Sequence, residues 1–212
     1  MLPARRRLIL SACALLTPLH AAAELLEEAD YRVIPQQPVL DPKRIEVVEF
    51  FYYGCRWCNE FEPYLSDWLR RRPADVLFHY QPAIKNTRWI TLTKAYFALL
   101  ALGELPRLQG RVYAAYHRDN VNLENESILT DWVVKQGLNR DRFEQALQSD
   151  AVMAQVEASR ELTHAYQVDT TPSIVVEGRY LSSSGMAGGV AELILILDEL
   201  VAMARKERRS AR

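Results

Sequence analysis

The sequence predicts an α/β protein whose sheet is interrupted by an all-helical block. Three observations predict it. Residues 45–52 (IEVVEFFY) form a β-branched and aromatic run with almost no polar interruption, followed by a helical pattern and a second strand-like run. About eighty residues of helical stripes then pass without a strand candidate. After Thr170-Thr171-Pro172 the pattern returns to short strands and a last helix.

Taken in order, Gly54 breaks the first strand, and Trp57, Phe61, Tyr64, Leu65, Trp68 and Leu69 then recur at three- and four-residue steps up to Arg72, where Pro73 stops the helix. Residues 75–82 (DVLFHYQP) are the second strand, so the chain begins β-α-β. Trp89, Leu92, Tyr96 and Leu99 make one helical stripe ending at Gly103, and residues 105–116 a second. Ile128, Leu129, Trp132 and Val133 make a third, stopped by Gly137, and Phe143, Ala146 and Leu147 a short fourth. Val152, Val156, Leu162 and Tyr166 make a fifth, with Asp150 as the expected cap. These stripes, Trp89 and Trp132 included, read as packing surfaces. A hairpin follows, with residues 173–176 and 179–182 as strands and Glu177-Gly178 as the turn. Val190, Leu193, Ile194, Leu197 and Val201 share one face of a final helix, and the closing RKERRSAR reads as a solvated, fraying end.

The first 23 residues differ from the rest. Arg5, Arg6 and Arg7 precede an apolar stretch, and Ala21-Ala22-Ala23 offers small residues before a cleavage point, the pattern of a secretory signal peptide. A competing reading takes Leu10-Ser11-Ala12-Cys13 as a lipoprotein processing box that would leave Cys13 lipid-modified. Of 212 residues 49% are hydrophobic and 25% charged, a soluble globular composition. Cleavage after Ala23 leaves 23 basic against 27 acidic residues, a net charge of −4, which gives no reason to expect a nucleic-acid partner.

Cleavage also leaves Cys55 and Cys58 as the only thiols. In an exported chain a pair of cysteines points to a disulfide. A bridge across two residues closes too small a loop to restrict the unfolded chain much, so reactivity explains it better than stability. A metal would need two further ligands, and His79, His117 and His164 stand in no ligand spacing, so none is expected. At a helix N-terminus, unpaired N–H groups and the positive end of the dipole favour a thiolate.

The motifs VVEFFYYGCRWC and TTPSIVVEGRY, in the order strand, CxxC helix, strand, helices, Thr-Pro, hairpin and terminal helix, resemble the DsbA family of thioredoxin-fold thiol:disulfide oxidoreductases. The resemblance implies an α/β thioredoxin fold with an inserted all-helical domain. It divides the chain into a signal peptide at 1–23, thioredoxin-like segments at 24–86 and 167–212, and a helical insertion at 87–166. It makes Cys55 the nucleophile, Cys58 the resolving thiol and Pro172 a cis-proline beside them, with Thr171 pairing to substrate. Glu49 becomes an acid buried beneath the site and Glu62 a second acid on the helix, although the residue pattern alone leaves Glu49 free to face solvent and puts Glu62 on the surface. An ordinary trans Thr171-Pro172 bond is the alternative to the cis form.

The chain departs from that family where Pro-His commonly separates the cysteines. Arg56-Trp57 stands there, so no imidazole helps the Cys55 thiolate, and Arg56 either supplies charge or projects into solvent. On the following strand the family often offers the buried acid a basic partner, where this chain has His79-Tyr80-Gln81. A Cys55 pKa of roughly 4 to 6.5 is expected. The implied activity is donation of the Cys55–Cys58 disulfide to reduced exported proteins in the periplasm, by a monomer that needs no cofactor besides that disulfide and is reoxidised by a membrane partner of the DsbB type. The alternatives are a reductase or isomerase using the same residues, and a peptide-binding chaperone with a structural cysteine pair.

Overall fold

The computed structural model describes residues 25–210. The signal peptide and Cys13 lie outside them. Its centre is a five-stranded sheet in the order β1-β5-β4-β2-β3. Strand β2 (Ile45–Phe51) is buried along its whole length, as its unbroken apolar run predicts for a strand covered on both faces. It runs parallel to β3 (Val76–Pro82) and antiparallel to β4 (Ser173–Val176), which turns back through a hairpin into β5 (Tyr180–Ser183). The hairpin turn is the expected Glu177-Gly178, both residues having positive φ. A Cβ at Gly178 would also overlap the carbonyl of Gln37. The two-residue edge strand β1 (Arg32–Val33), antiparallel to β5, was not anticipated. It is too short to show a period.

Side chains alternate across β2. Ile45 and Val47 pack under helix α1 (Arg56–Arg71) and helix α7 (Val190–Ser210), with Phe61, Leu65, Trp68, Leu197 and Leu200. Val48 and Phe50 face the opposite way, against Tyr166, Val168 and Val175. Glu49 belongs by parity to the α1 side.

Between β3 and β4 lie a 3-10 turn (Thr87–Trp89) and helices α2 (Ile90–Ala101), α3 (Leu105–His117), α4 (Glu126–Lys135), α5 (Arg140–Leu147) and α6 (Asp150–Ala165). Their stripes meet in a core containing Leu92, Leu99, Leu108, Leu129, Val133 and Phe143. Three details differ from the sequence reading. Ile128 is 40% exposed, and the inward face of α4 is Leu129, Trp132 and Val133. The cap of α6 is Ser149, which accepts from the Val152 N–H, while Asp150 is the first helical residue. Trp89 is only partly buried and stands at the start of α2, stacked on Tyr52.

The C-terminal end is a docked helix rather than a frayed tail. Arg205 pairs with Asp75 at 2.8 Å. Arg208 pairs with Glu177 at 2.7 Å and donates to the carbonyls of Pro42 and Arg44. Glu177 in turn accepts from the Glu46 N–H at 2.8 Å, so α7, the hairpin turn and the start of β2 are held at one point. Arg208→Ala should therefore cost about 1–3 kcal/mol, a fall of roughly 3–10 °C in Tm followed by circular dichroism. Arg209→Ala, at an exposed neighbour, should change stability by less than about 0.5 kcal/mol; equal losses in the two variants would contradict the docking.

Candidate active site

Strand β2 delivers the chain to a turn closed by the Cys55 N–H and the Tyr52 carbonyl at 2.9 Å. Gly54 is required here, because a Cβ would overlap the ring of Tyr52. That ring is held from its other side by Trp89, stacked at 4.2 Å, and its hydroxyl donates to Glu124 at 2.6 Å. Glu124 also accepts from Tyr116 and Arg88, and His117 lies 2.7 Å from the Tyr53 carbonyl. The turn before Cys55 is thus fastened to the helical block through α3 and the segment leading to α4.

Cys55 is the N-cap of α1, with extended backbone angles, and Cys58 lies inside the first turn. Both are free thiols, Cys55 partly accessible and Cys58 wholly buried. The Cys55 pKa is lowered from 9.0 to about 6, first by hydrogen bonding from the Cys58 thiol and then by the Thr171 side chain and the N–H groups of Cys58 and Trp57, which together outweigh burial. Cys58 goes the other way: burial, then the charge of Cys55 and of Glu49, pushes its thiol up. The bond between Thr171 and Pro172 is cis, and the Thr171 carbonyl lies 3.2 Å from Cys55 Sγ.

Arg56 and Trp57 are both exposed, Trp57 at 52%. The guanidinium lies over the Trp57 ring at 5.4 Å and pairs with Glu60 at 2.7 Å. Its charge is directed along the helix surface, and the groups that lower the Cys55 pKa are its hydrogen-bond donors.

Beneath the pair, Glu49 is 1% exposed and both its carboxylate oxygens lack a hydrogen-bond partner. Burial, then Glu62 and Cys55, hold its pKa well above the usual carboxylate range. Glu62 is not the surface residue that its helical position suggested. It is half-buried, accepts from Tyr80 and Ser66 at 3.3 Å each, and is also raised, chiefly by burial. Its spacing of four residues from Cys58 was the available signal, since that places both on the inward side of α1. The residue paired with Glu49 across the sheet is Tyr80, whereas His79 pairs with Val48 and faces away. The cross-strand partner of Glu49 is thus a phenol and not a base.

Cys55 and Thr171 open onto a cleft of ≈ 410 Å³ that Trp57, Trp89, Tyr116 and Lys85 also line. The sequence had singled out neither Trp89 nor Tyr116 for this cleft, because a stripe residue at a helix end reads as core until the neighbouring element is placed.

A sequence model of the DSBA-like thioredoxin domain matches residues 75–200, more than half of the chain. The chain belongs to the DsbA family. It is 33% identical to the thiol:disulfide interchange protein DsbA of Azotobacter vinelandii over 94% of this chain and 98% of that protein, a span that includes the cysteine pair. The DsbA of Pseudomonas aeruginosa PAO1 is 34% identical over 82% of each chain. The crystal structure of Pseudomonas aeruginosa DsbA superposes with a TM-score of 0.80 at 33% identity, covering 86% of this chain and 94% of that one. DsbA from Xylella fastidiosa gives 0.77 at 30%, covering 84% and 96%. The protein is thus a thiol:disulfide oxidoreductase with a thioredoxin fold and an inserted all-helical domain. Among the described residues no helix is long and apolar enough to cross a membrane.

The buried acid carries a sign that can be checked. A carboxyl whose folded pKa is raised contributes no penalty below its ordinary value and destabilises the fold increasingly as pH rises above it. With both oxygens unpartnered, Glu49→Gln should raise stability toward urea at pH 8 in the same redox form, and the gain should vanish at pH 4. An equal effect at both pH values would contradict a carboxyl held protonated by burial.

Proposed function

We propose that the chain is a periplasmic oxidant that donates its Cys55–Cys58 disulfide to reduced exported proteins. The observation that carries this reading is the opposed treatment of the two sulfurs: Cys55 lowered to about 6 at an accessible helix start, Cys58 raised and buried. A substrate thiolate attacks Cys55 Sγ, the Cys55–Cys58 bond breaks, and a mixed disulfide forms. The electron pair leaves on Cys58, which takes a proton because burial disfavours its thiolate; Glu49, raised and beneath it, is the group we assign to supply or relay that proton. A second substrate thiolate then attacks the substrate sulfur of the mixed disulfide and expels Cys55. A leaving thiol of low pKa departs fast, so this direction is favoured. The substrate ends as a disulfide, and two electrons rest on the cysteine pair.

In this reading Thr171 and Pro172 hold the substrate as an added strand, the Thr171 backbone lying beside Cys55, and Arg56-Trp57 forms the exposed start of the reactive helix. Residues 24–86 and 167–212 form the thioredoxin-like part and 87–166 the insertion. The cysteine disulfide is the only redox group required, and a membrane partner of the DsbB type restores it. The protein acts as a monomer after removal of residues 1–23.

The cysteine roles separate cleanly. With an unfolded test protein that carries a disulfide, the Cys55 thiolate of Cys58→Ala should attack that bond, expel one substrate thiolate and accumulate as a mixed disulfide, seen as a shifted band on a non-reducing gel, and Cys55→Ala should accumulate none. The reverse pattern would overturn the assignment.

A further inference from the structure

A second cleft, of ≈ 690 Å³, adjoins the active-site cleft and shares two of its lining residues, Lys85 and Asp169. It runs from the irregular segment leading to Pro172 toward the C-terminal end of α6. Its lining contains three cations, Arg32, Lys85 and Arg160, against one acid, Asp169, with His164 beside them. That balance runs against a chain whose acids outnumber its basic residues.

The acid is already engaged: Asp169 pairs with Arg32 at 2.8 Å. Arg32 also donates to the carbonyl of Gln167. Lys85 donates to a backbone carbonyl, that of Asp169, and among the described residues it pairs with no carboxylate. Arg160 is exposed, and among the described residues its one ion pair is with Glu157, through Nε at 3.4 Å, which leaves its terminal N–H groups to other partners. Lys85 and Arg160 therefore present positive charge to whatever enters.

The position of the cleft says what enters. Asp169 is two residues from Thr171, whose carbonyl lies 3.2 Å from the reactive sulfur. An extended chain advances about 3.3 Å per residue. A substrate laid along residues 169–171 with its cysteine at Cys55 thus reaches the second cleft about two to four residues away.

We infer that this cleft is a second substrate subsite that takes an acidic side chain lying about two to four residues from the reactive cysteine of the reduced protein. The inference rests on the oxidant reading and adds a sequence preference to it. Lys85, common to both clefts, and Arg160 supply the attraction, and Trp57 and Trp89 remain the walls nearer the sulfur.

The test uses the oxidised protein and short dithiol peptides that carry Glu, Gln or Lys three residues outside the cysteine pair, on either flank. Each turnover converts a peptide dithiol to its disulfide and the protein disulfide to the dithiol, and the second-order rate is read. At about 10 mM salt the Glu peptide should react about fivefold faster than the Gln peptide on one flank, and the Lys peptide slower than Gln, as expected for two partly exposed charge pairs. At about 0.5 M salt the preference should shrink below about twofold. Arg160→Gln should weaken it and Arg160→Glu should abolish or invert it, and comparing rate ratios between variants removes the intrinsic reactivity of each peptide thiol. A Glu/Gln ratio of one on both flanks, or a ratio unchanged by Arg160→Glu, overturns the subsite. Failure of wild-type protein to oxidise even the Gln peptide would instead overturn the oxidant reading.

Discussion

The structure depends on the hydrogen bonding of one sulfur atom at the start of α1. Cys55 gains the Cys58 thiol, the Thr171 side chain and two backbone N–H groups as donors, and these prevail over the cost of burying a charge. Three of these donors lie in the first turn of α1, and the fourth comes from the segment before β4. The helix start is set by Gly54 and the turn from β2, the Thr171 strand is brought in by the antiparallel pairing of β4 with β2, and Cys58 is placed by one turn of helix. A thiolate stabilised in the folded reduced form makes that form the preferred one. Because the folded pKa lies below the unfolded one, this contribution is full above about pH 9 and gone below about pH 6.

Below the sulfurs the electrostatics are unusual for a buried acid. Among the described residues neither Glu49 carboxylate oxygen has a hydrogen-bond partner, and the charge that acts on it from α1 is another carboxyl, Glu62. Burial raises both carboxyls, and the charge of Glu62 raises Glu49 further, which favours the protonated form of Glu49. Tyr80, paired with Glu49 in the sheet and hydrogen-bonded to Glu62, brings no positive charge to either carboxyl. In the proposed mechanism the Glu49 proton serves Cys58 as it leaves the disulfide.

How far the sequence carried depends on the kind of signal. β2 was legible because a strand buried on both faces has a continuous apolar run, and the CxxC helix because its apolar period starts directly after Gly54. The Glu177-Gly178 turn was legible from turn chemistry, and the cis form of Thr171-Pro172 only from the family resemblance, since residue type alone favours trans. What escaped were features made by contacts between distant elements. Arg208 in a basic tail is anchored only once β2 and the hairpin are in place. Glu62 is half-buried because β3 brings Tyr80, and α3 brings Gln109, against it. Trp89 faces the active site because Glu124 and Gly54 draw Tyr52 over it. The choice of Ser149 over Asp150 as cap turns on a one-residue boundary, the least determined quantity in any helical pattern.

The central claim is that stabilisation of Cys55 makes the reduced protein the favoured state and the disulfide an oxidant. Equilibrating the purified protein with defined glutathione mixtures and measuring the oxidised fraction tests it directly. A pKa of about 6 lies roughly three units below the ordinary thiol, and at roughly 30 mV per unit that is an appreciable displacement toward oxidising potentials. The account predicts a potential between about −120 and −230 mV. A value near −270 mV, where thioredoxin lies, would contradict it and assign the same site to reduction.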